Sequence, residues 1–219
     1  MLIVEARADA RHVMARSIAK DHEDKRSRIL TIAAQQFAAQ GYAHASMAQV
    51  SEACGISKAN IYHYYPSKTA LLFDILNSYL SELRDRVCGL AEQGLSPDER
   101  LRALTAEVLL AYEGMDALHK IQTESLHLLP EEQQETLRGY QRDMVRKLSS
   151  ILAQAAPKTL GEDAQDLHSA TMSVFGMLNW FYMWNRGADR AARLEYARLV
   201  ADMTLAGVSG LQTPPKPHR

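Results

Sequence analysis

The first clear hydrophobic stripe lies between Arg28 and Gln40, where Ile29, Ile32, Ala33 and Phe37 fall three and four residues apart and Gly41 follows. That spacing predicts an amphipathic helix with one buried face and a glycine stop. A shorter stripe of Met47, Val50 and Cys54 predicts a second helix, and Gly55 supplies the tight turn after it. Ser57 is placed to cap a third helix through its hydroxyl. Within that helix only Ile61 and Tyr65, four apart, face inward; Lys58, Ala59, Asn60, Tyr62, His63 and Tyr64 are poorly suited to a core.

From Thr69 to Leu90 one face carries Leu72, Ile75, Leu76, Tyr79, Leu83 and Val87, which predicts a long helix loosened at its end by Gly89 and Gly94. Ser96-Pro97-Asp98-Glu99 is a capping box with proline at the first helical position, opening a helix to about Met115. Pro130-Glu131-Glu132 opens another that ends near Pro157, and two more run from Asp163 to Asn185 and from Arg190 to Gly207, divided by Gly187. No segment alternates with period two for long enough to argue a strand, so the predicted class is all-α.

Charge refines this picture. The 219-residue chain has a net charge of −1, with 47% hydrophobic residues, enough for a substantial core. Residues 22–68 carry Lys25, Arg26, Arg28, Lys58 and Lys68 against Glu23, Asp24 and Glu52, a net of +2. Residues 1–21 add +1 from four basic and three acidic side chains, which leaves −4 for the remainder. The positive charge therefore gathers on the segment with the polar third helix, where a phosphate backbone could lie. Two cysteines without C-x-x-C spacing fit a reducing compartment, and the longest apolar run, Val174 to Trp184, is too short to span a bilayer. The expectation is a cytoplasmic protein with no membrane partner.

Two short helices joined by a glycine turn, the second bearing lysine, asparagine, histidine and tyrosines outward, have the layout of a helix-turn-helix that reads DNA. The run Phe37-Ala38 to Gly41-Tyr42, Ser46, Val50, Ala53, Gly55, Ser57-Lys58, Ile61-Tyr62-His63-Tyr64-Tyr65 and Ser67-Lys68 resembles the DNA-binding domain of the TetR repressor family, over roughly residues 25 to 72. The family commonly has Ile-Ala at Val50-Ser51, glycine at Ala59 and phenylalanine at Tyr65. Val50 and Tyr65 keep an apolar body in place, whereas the Ala59 methyl group alters how closely the helix can approach a groove. The resemblance implies Lys58 and Asn60 near base edges, Ser46, Tyr62, His63 and Lys68 near phosphates, and Ser57, Ala59 and Tyr64 at the same surface.

The implied architecture is an N-terminal three-helix helix-turn-helix domain over residues 23–70 and a C-terminal helical effector-binding and dimerisation domain over 71–211. A flexible extension over 1–22 precedes them and a disordered tail over 212–219 follows. Arg7, Arg11, Arg16 and Lys20 could make the extension a minor-groove arm, but Glu5, Asp9 and Asp21 dilute it. Along Thr171 to Trp184 apolar side chains occupy nearly all sides of one helix, which needs cover on more than one face. In the TetR family the last two helices pair with those of a second copy, so Val174, Leu178, Phe181 and Tyr182 are expected at a homodimer interface. Two reading helices about 34 Å apart would then recognise a palindromic double-stranded operator.

Candidate effector contacts are Tyr112, Met115, His119, Gln122, Leu126, Tyr140, Met144, Asn179, Trp180 and Arg186. For any single one of them ordinary helix packing is the simpler account. The run Gly176-Met177-Leu178-Asn179-Trp180 with Tyr182, Trp184 and Arg186 resembles a segment of TetR-type repressors that answer to acyl-coenzyme A thioesters and control the breakdown of fatty, steroid or aromatic acids. Arg138, Arg142, Arg146, Lys147 and Arg186 are candidates to meet the coenzyme phosphates, but Arg138, Arg142 and Arg146 also form a solvated stripe at helical spacing, which is the default reading. A sensor of xenobiotics controlling an efflux pump is the alternative within the same fold. An enzyme finds little support: Glu124-x-x-His127 has the spacing of di-iron bundles, but such a site needs two such motifs and further carboxylates. No nucleophile elbow or phosphate-cradling glycine loop is present, so no catalytic residue, metal or cofactor is assigned.

Overall fold

The computed structural model describes residues 2–185 and 187–211, with side chains from residue 20 onward, and every regular element in it is helical. In order these are α1 (Leu2–Gln40), α2 (Met47–Cys54), α3 (Lys58–Tyr64), α4 (Lys68–Cys88), α5 (Pro97–Ala111), α6 (Asp116–Ser125), a 3-10 turn (Leu126–Leu128), α7 (Glu131–Ala155), α8 (Ala164–Trp184) and α9 (Arg190–Gly210). No described helix is long and apolar enough to cross a membrane.

Two compact units emerge. The first holds residues up to Leu76 together with Lys120–Leu129, and the second holds Asn77–His119 and the chain from Pro130 onward. The division falls after Leu76, five residues further along α4 than residue 71, and residues 120–129 group with the first unit. A helix was not expected between Met115 and Pro130. Gly114, at φ +73°, closes the preceding turn, and Asp116 stands in the first turn of α6, where its charge suits the helix dipole.

The segment read as a flexible extension is helical backbone, because α1 starts at Leu2. Residues 2–22 contain no glycine or proline and are rich in alanine, arginine and other helix formers, so local propensity favours continuing the helix upstream. The tail over 212–219 lies outside the described residues.

In the first unit the predicted stripes are the core. Ile29, Phe37, Val50 and Ile61 are essentially inaccessible, as are Leu71, Leu72 and Ile75 of α4. Each such aliphatic side chain removed from water contributes about 1.5–3 kcal/mol before conformational entropy is charged against it. In the second unit α5 packs on α7, α8 and α9 through Leu101, Leu104, Val108, Leu148, Leu178 and Val200. The capping box appears as predicted: Ser96 accepts from the Glu99 amide, and the Glu99 carboxylate accepts from the Ser96 amide.

Candidate nucleic-acid interface and effector site

The reading surface is built by two caps and a turn. Ser46 opens α2 with a capping box shared with Gln49. Gly55 ends it at φ +67°, a left-handed conformation that a side chain would strain, and its amide donates to the Glu52 and Ser51 carbonyls. Ser57 then caps α3 by accepting from the Asn60 amide at 3.1 Å. With Ile61 fully buried and Tyr65 nearly so, the rest of α3 is turned outward: Lys58, Ala59, Asn60, Tyr62 and His63 are all exposed.

Tyr64 is half-buried, its ring stacked 4.8 Å from His22 of α1 and edge-on to His63. Between α1 and α3 lies a small cleft of about 190 Å³ lined by Lys25, Arg28, Asn60, Tyr64 and the Gly55-Ile56 turn. Asn60 therefore borders a basic edge contributed by α1. The charge of Lys25 and Arg28 is plain in the sequence, but the only local sign of their place beside the reading helix is their spacing of three on one helical face.

Lys68 is placed differently from the expectation. Its ammonium donates to the Tyr42 carbonyl at 2.8 Å, the Ala45 carbonyl at 2.9 Å and, more weakly, the Ala43 carbonyl at 3.3 Å. It also sits 4.4 Å from the centre of the Tyr42 ring. The side chain thus closes the loop between α1 and α2. Tyr65 is likewise more than an apolar body. Its hydroxyl donates to Asp74 at 2.6 Å, and Arg26 grips the same carboxylate with contacts of 2.6 and 2.7 Å. Burial and this bond push the Tyr65 pKa far up, so the hydroxyl stays a donor at any physiological pH.

The second unit gathers part of the effector set. Tyr112 is buried and donates to the Asn179 amide oxygen at 2.7 Å. The His119 ring packs 4.9 Å from both Tyr112 and Tyr182 and lies 3.5 Å from the Tyr79 hydroxyl. Burial pushes the His119 pKa down, opposed in part by its hydrogen bond to the Asn179 backbone. Tyr140 instead donates to Asn77 at 3.2 Å, Met144 is core and Met115 is half-exposed. Gln122 and Leu126 belong to the first unit, Trp180 is 61% exposed on the outer side of α8, and Arg186 lies outside the described residues. Arg138, Arg142 and Arg146 line an open groove of about 540 Å³ with His168 and Met172 of α8. Glu124 and His127 are exposed, and no group of metal-ligating side chains gathers among the described residues.

The dimer residues named from sequence face the interior of the single chain. Val174, Leu178 and Phe181 are at most 2% exposed in the single chain, and Tyr182 leans on His119. Their spacing of three and four puts them on the inward stripe of α8. The apolar side chains on the opposite side are Met172, Trp180, Met183 and Trp184, joined on α9 by Leu199 and Met203.

A capped reading helix set past a glycine turn, carried on a three-helix core and followed by an all-helical unit, defines a helix-turn-helix transcription regulator. Comparison with known proteins narrows the class. Residues 29–75 match the model of bacterial regulatory proteins of the tetR family, and residues 94–208 match a tetracyclin repressor-like C-terminal domain, so the chain belongs to the TetR family. Among curated relatives it is 31% identical over 112 residues to the HTH-type transcriptional repressor KstR2 of Rhodococcus jostii (strain RHA1), a match covering 49% of this chain and 53% of that protein. The chain thus spans about half the length of that relative.

Solved structures align more fully. A TetR-family regulator from Bordetella parapertussis 12822 superposes with a TM-score of 0.77 at 29% identity, over 86% of this chain and 97% of that one. AibR, solved in complex with isovaleryl coenzyme A and operator DNA, superposes with a TM-score of 0.70 at 26% identity, over 82% and 97%.

Proposed function

We propose that this chain is a cytoplasmic, homodimeric transcriptional repressor that binds a palindromic operator through α3 and is released by an acyl-coenzyme A thioester. The observation that carries the DNA-binding half is the outward face of α3, where lysine, asparagine, tyrosine and histidine are exposed together on a helix fixed by caps at both ends. Lys58 and Asn60 offer hydrogen bonds to base edges, while Tyr62 and His63 reach phosphates. The structural likeness to AibR, solved with a coenzyme A thioester and DNA, supports the effector class.

In this reading the acyl part enters the apolar second unit near the Tyr112, His119 and Asn179 cluster, where hydroxyl and imidazole groups can meet a thioester carbonyl. The arginines of the α7–α8 groove supply cations for the coenzyme phosphates. The second copy covers the apolar side of α8 and α9. Release of DNA requires the effector to prefer a state in which the two reading helices are wrongly spaced, since equal affinity for both states shifts nothing. α4 runs through both units and is the element by which such a preference would be transmitted.

The efflux-sensor alternative keeps one observation of its own. Tyr79, Tyr112 and Tyr182 surround His119, an aromatic setting that suits a cation, while the neighbouring Asp116 carboxylate is already paired with the buried Arg193 guanidinium at 3.7 Å. The discriminating experiment is native mass spectrometry of the purified protein followed by operator fluorescence anisotropy with phenylacetyl and long-chain acyl coenzyme A. Release by a thioester is the expected result; release by aromatic cations alone favours the alternative.

A further inference from the structure

The reading helix has few anchors. α3 is only seven residues long, and its buried side is Ile61 together with the capping residue Tyr65. Packing of one isoleucine fixes depth well and rotation poorly, because an aliphatic contact has no direction. Direction comes from the Tyr64 ring stacked on His22 and, at the end of the helix, from the Tyr65 hydroxyl. It donates at 2.6 Å to Asp74, whose other contacts are the two short bonds from Arg26. One largely buried carboxylate, 17% exposed, therefore ties the end of α3 to both α1 and α4. The Tyr65 amide meanwhile donates to the Ile61 carbonyl at 2.9 Å, so side chain and backbone of the same residue fix the last turn.

We infer that Asp74 is a positioning residue for operator recognition: through Tyr65 it sets the rotation of α3 at which Lys58 and Asn60 meet base edges. The inference rests on the reading of α3 as the DNA-reading helix and goes beyond it by assigning that alignment to a specific buried contact. Hydrogen bonds to base edges need side chains held to about 0.5 Å and 10–20°, whereas attraction to phosphates tolerates far looser geometry. Loss of the contact therefore separates sequence preference from general DNA affinity. Because Asp74 lies on α4, the same carboxylate is also where a shift of that helix reaches the reading helix directly.

The test uses the full-length protein, a duplex it selects from a random-sequence pool, and an unrelated duplex. Tyr65→Phe removes one oxygen and keeps the ring. It is expected to reduce the ratio of selected to unrelated affinity by about tenfold, the loss of one good base contact, with the salt dependence on the unrelated duplex unchanged. Asp74→Asn is expected to do at least as much, and Asp74→Glu to restore part of the ratio. If Asp74→Asn does not fold, Tyr65→Phe decides alone. A Tyr65→Phe protein that melts earlier but keeps the wild-type ratio overturns the inference and leaves only a packing role. A wild-type protein that selects no duplex overturns the reading of α3 itself, a distinguishable failure.

Discussion

Removing the Lys68 ammonium tests whether that residue serves the fold or the DNA. In Lys68→Met the aliphatic stem remains, but the donors to Tyr42 and Ala45 at 2.8 and 2.9 Å are lost, with the longer bond to Ala43. Taking about 1 kcal/mol net for each of the two short bonds and about 0.5–1 kcal/mol for the ammonium over the Tyr42 ring gives a loss of about 2–3 kcal/mol. The 3.3 Å bond adds little, since its carbonyl is exposed and water replaces the donor. For a chain of this size that loss lowers the melting temperature by about 5–10 °C. Thermal melting by circular dichroism measures the first quantity, and the slope of log affinity against log salt measures the second. A phosphate contact contributes about 0.9 to that slope. The expected result is a lower melting temperature with an unchanged slope at temperatures where the variant is folded. A variant that melts like the wild type but loses about one unit of slope would refute the reasoning.

Three other expectations follow from the same geometry. Arg28→Ala, at the cleft beside α3, should weaken selected and unrelated duplexes alike and lower the salt slope by about 0.9, measured by anisotropy from low to moderate salt. Because burial lowers the His119 pKa, the unfolded chain takes up that proton first; stability is complete above about pH 6.5 and declines as pH falls below it, and His119→Gln should flatten that part of a urea-denaturation profile. Trp180→Arg, on the exposed apolar side of α8, should weaken self-association at least about 100-fold by sedimentation velocity while leaving the melting temperature of the monomer little changed.

The helix-turn-helix was legible because each device that builds it is local. Gly55 must be glycine at φ +67°, Ser46 and Ser57 cap helices within three residues, and the stripes Ile29-Phe37 and Met47-Cys54 declare their buried faces by spacing alone. The contacts that sequence reasoning missed are the long-range ones. Tyr65 and Asp74 are nine residues apart, Arg26 and Asp74 are 48 apart, and Lys68 reaches back 26 residues to Tyr42. Nothing in a local pattern says that a lysine after a serine will turn toward loop carbonyls rather than toward solvent.

α8 shows a different limit. The sequence from Thr171 to Trp184 is apolar nearly all round, so composition leads to the expectation of two covered faces but does not give their phase. Both Val174-Leu178-Phe181 and Met172-Met183-Trp180 are self-consistent stripes at helical spacing, and only the packing of α8 with α7, α9 and α5 shows that the first is buried and the second exposed. Side-chain size offers the one hint available beforehand. A monomer core favours aliphatic and phenylalanine side chains that fill fixed space, whereas tryptophan and exposed methionine suit a surface that a second body can cover. On that argument Trp180, Trp184 and Met203 are the residues whose substitution should act on assembly, and Val174, Leu178 and Phe181 those whose substitution should act on folding. A Leu178→Ala protein that stays a dimer at reduced stability and a Trp180→Arg protein that becomes a stable monomer would together fix the phase.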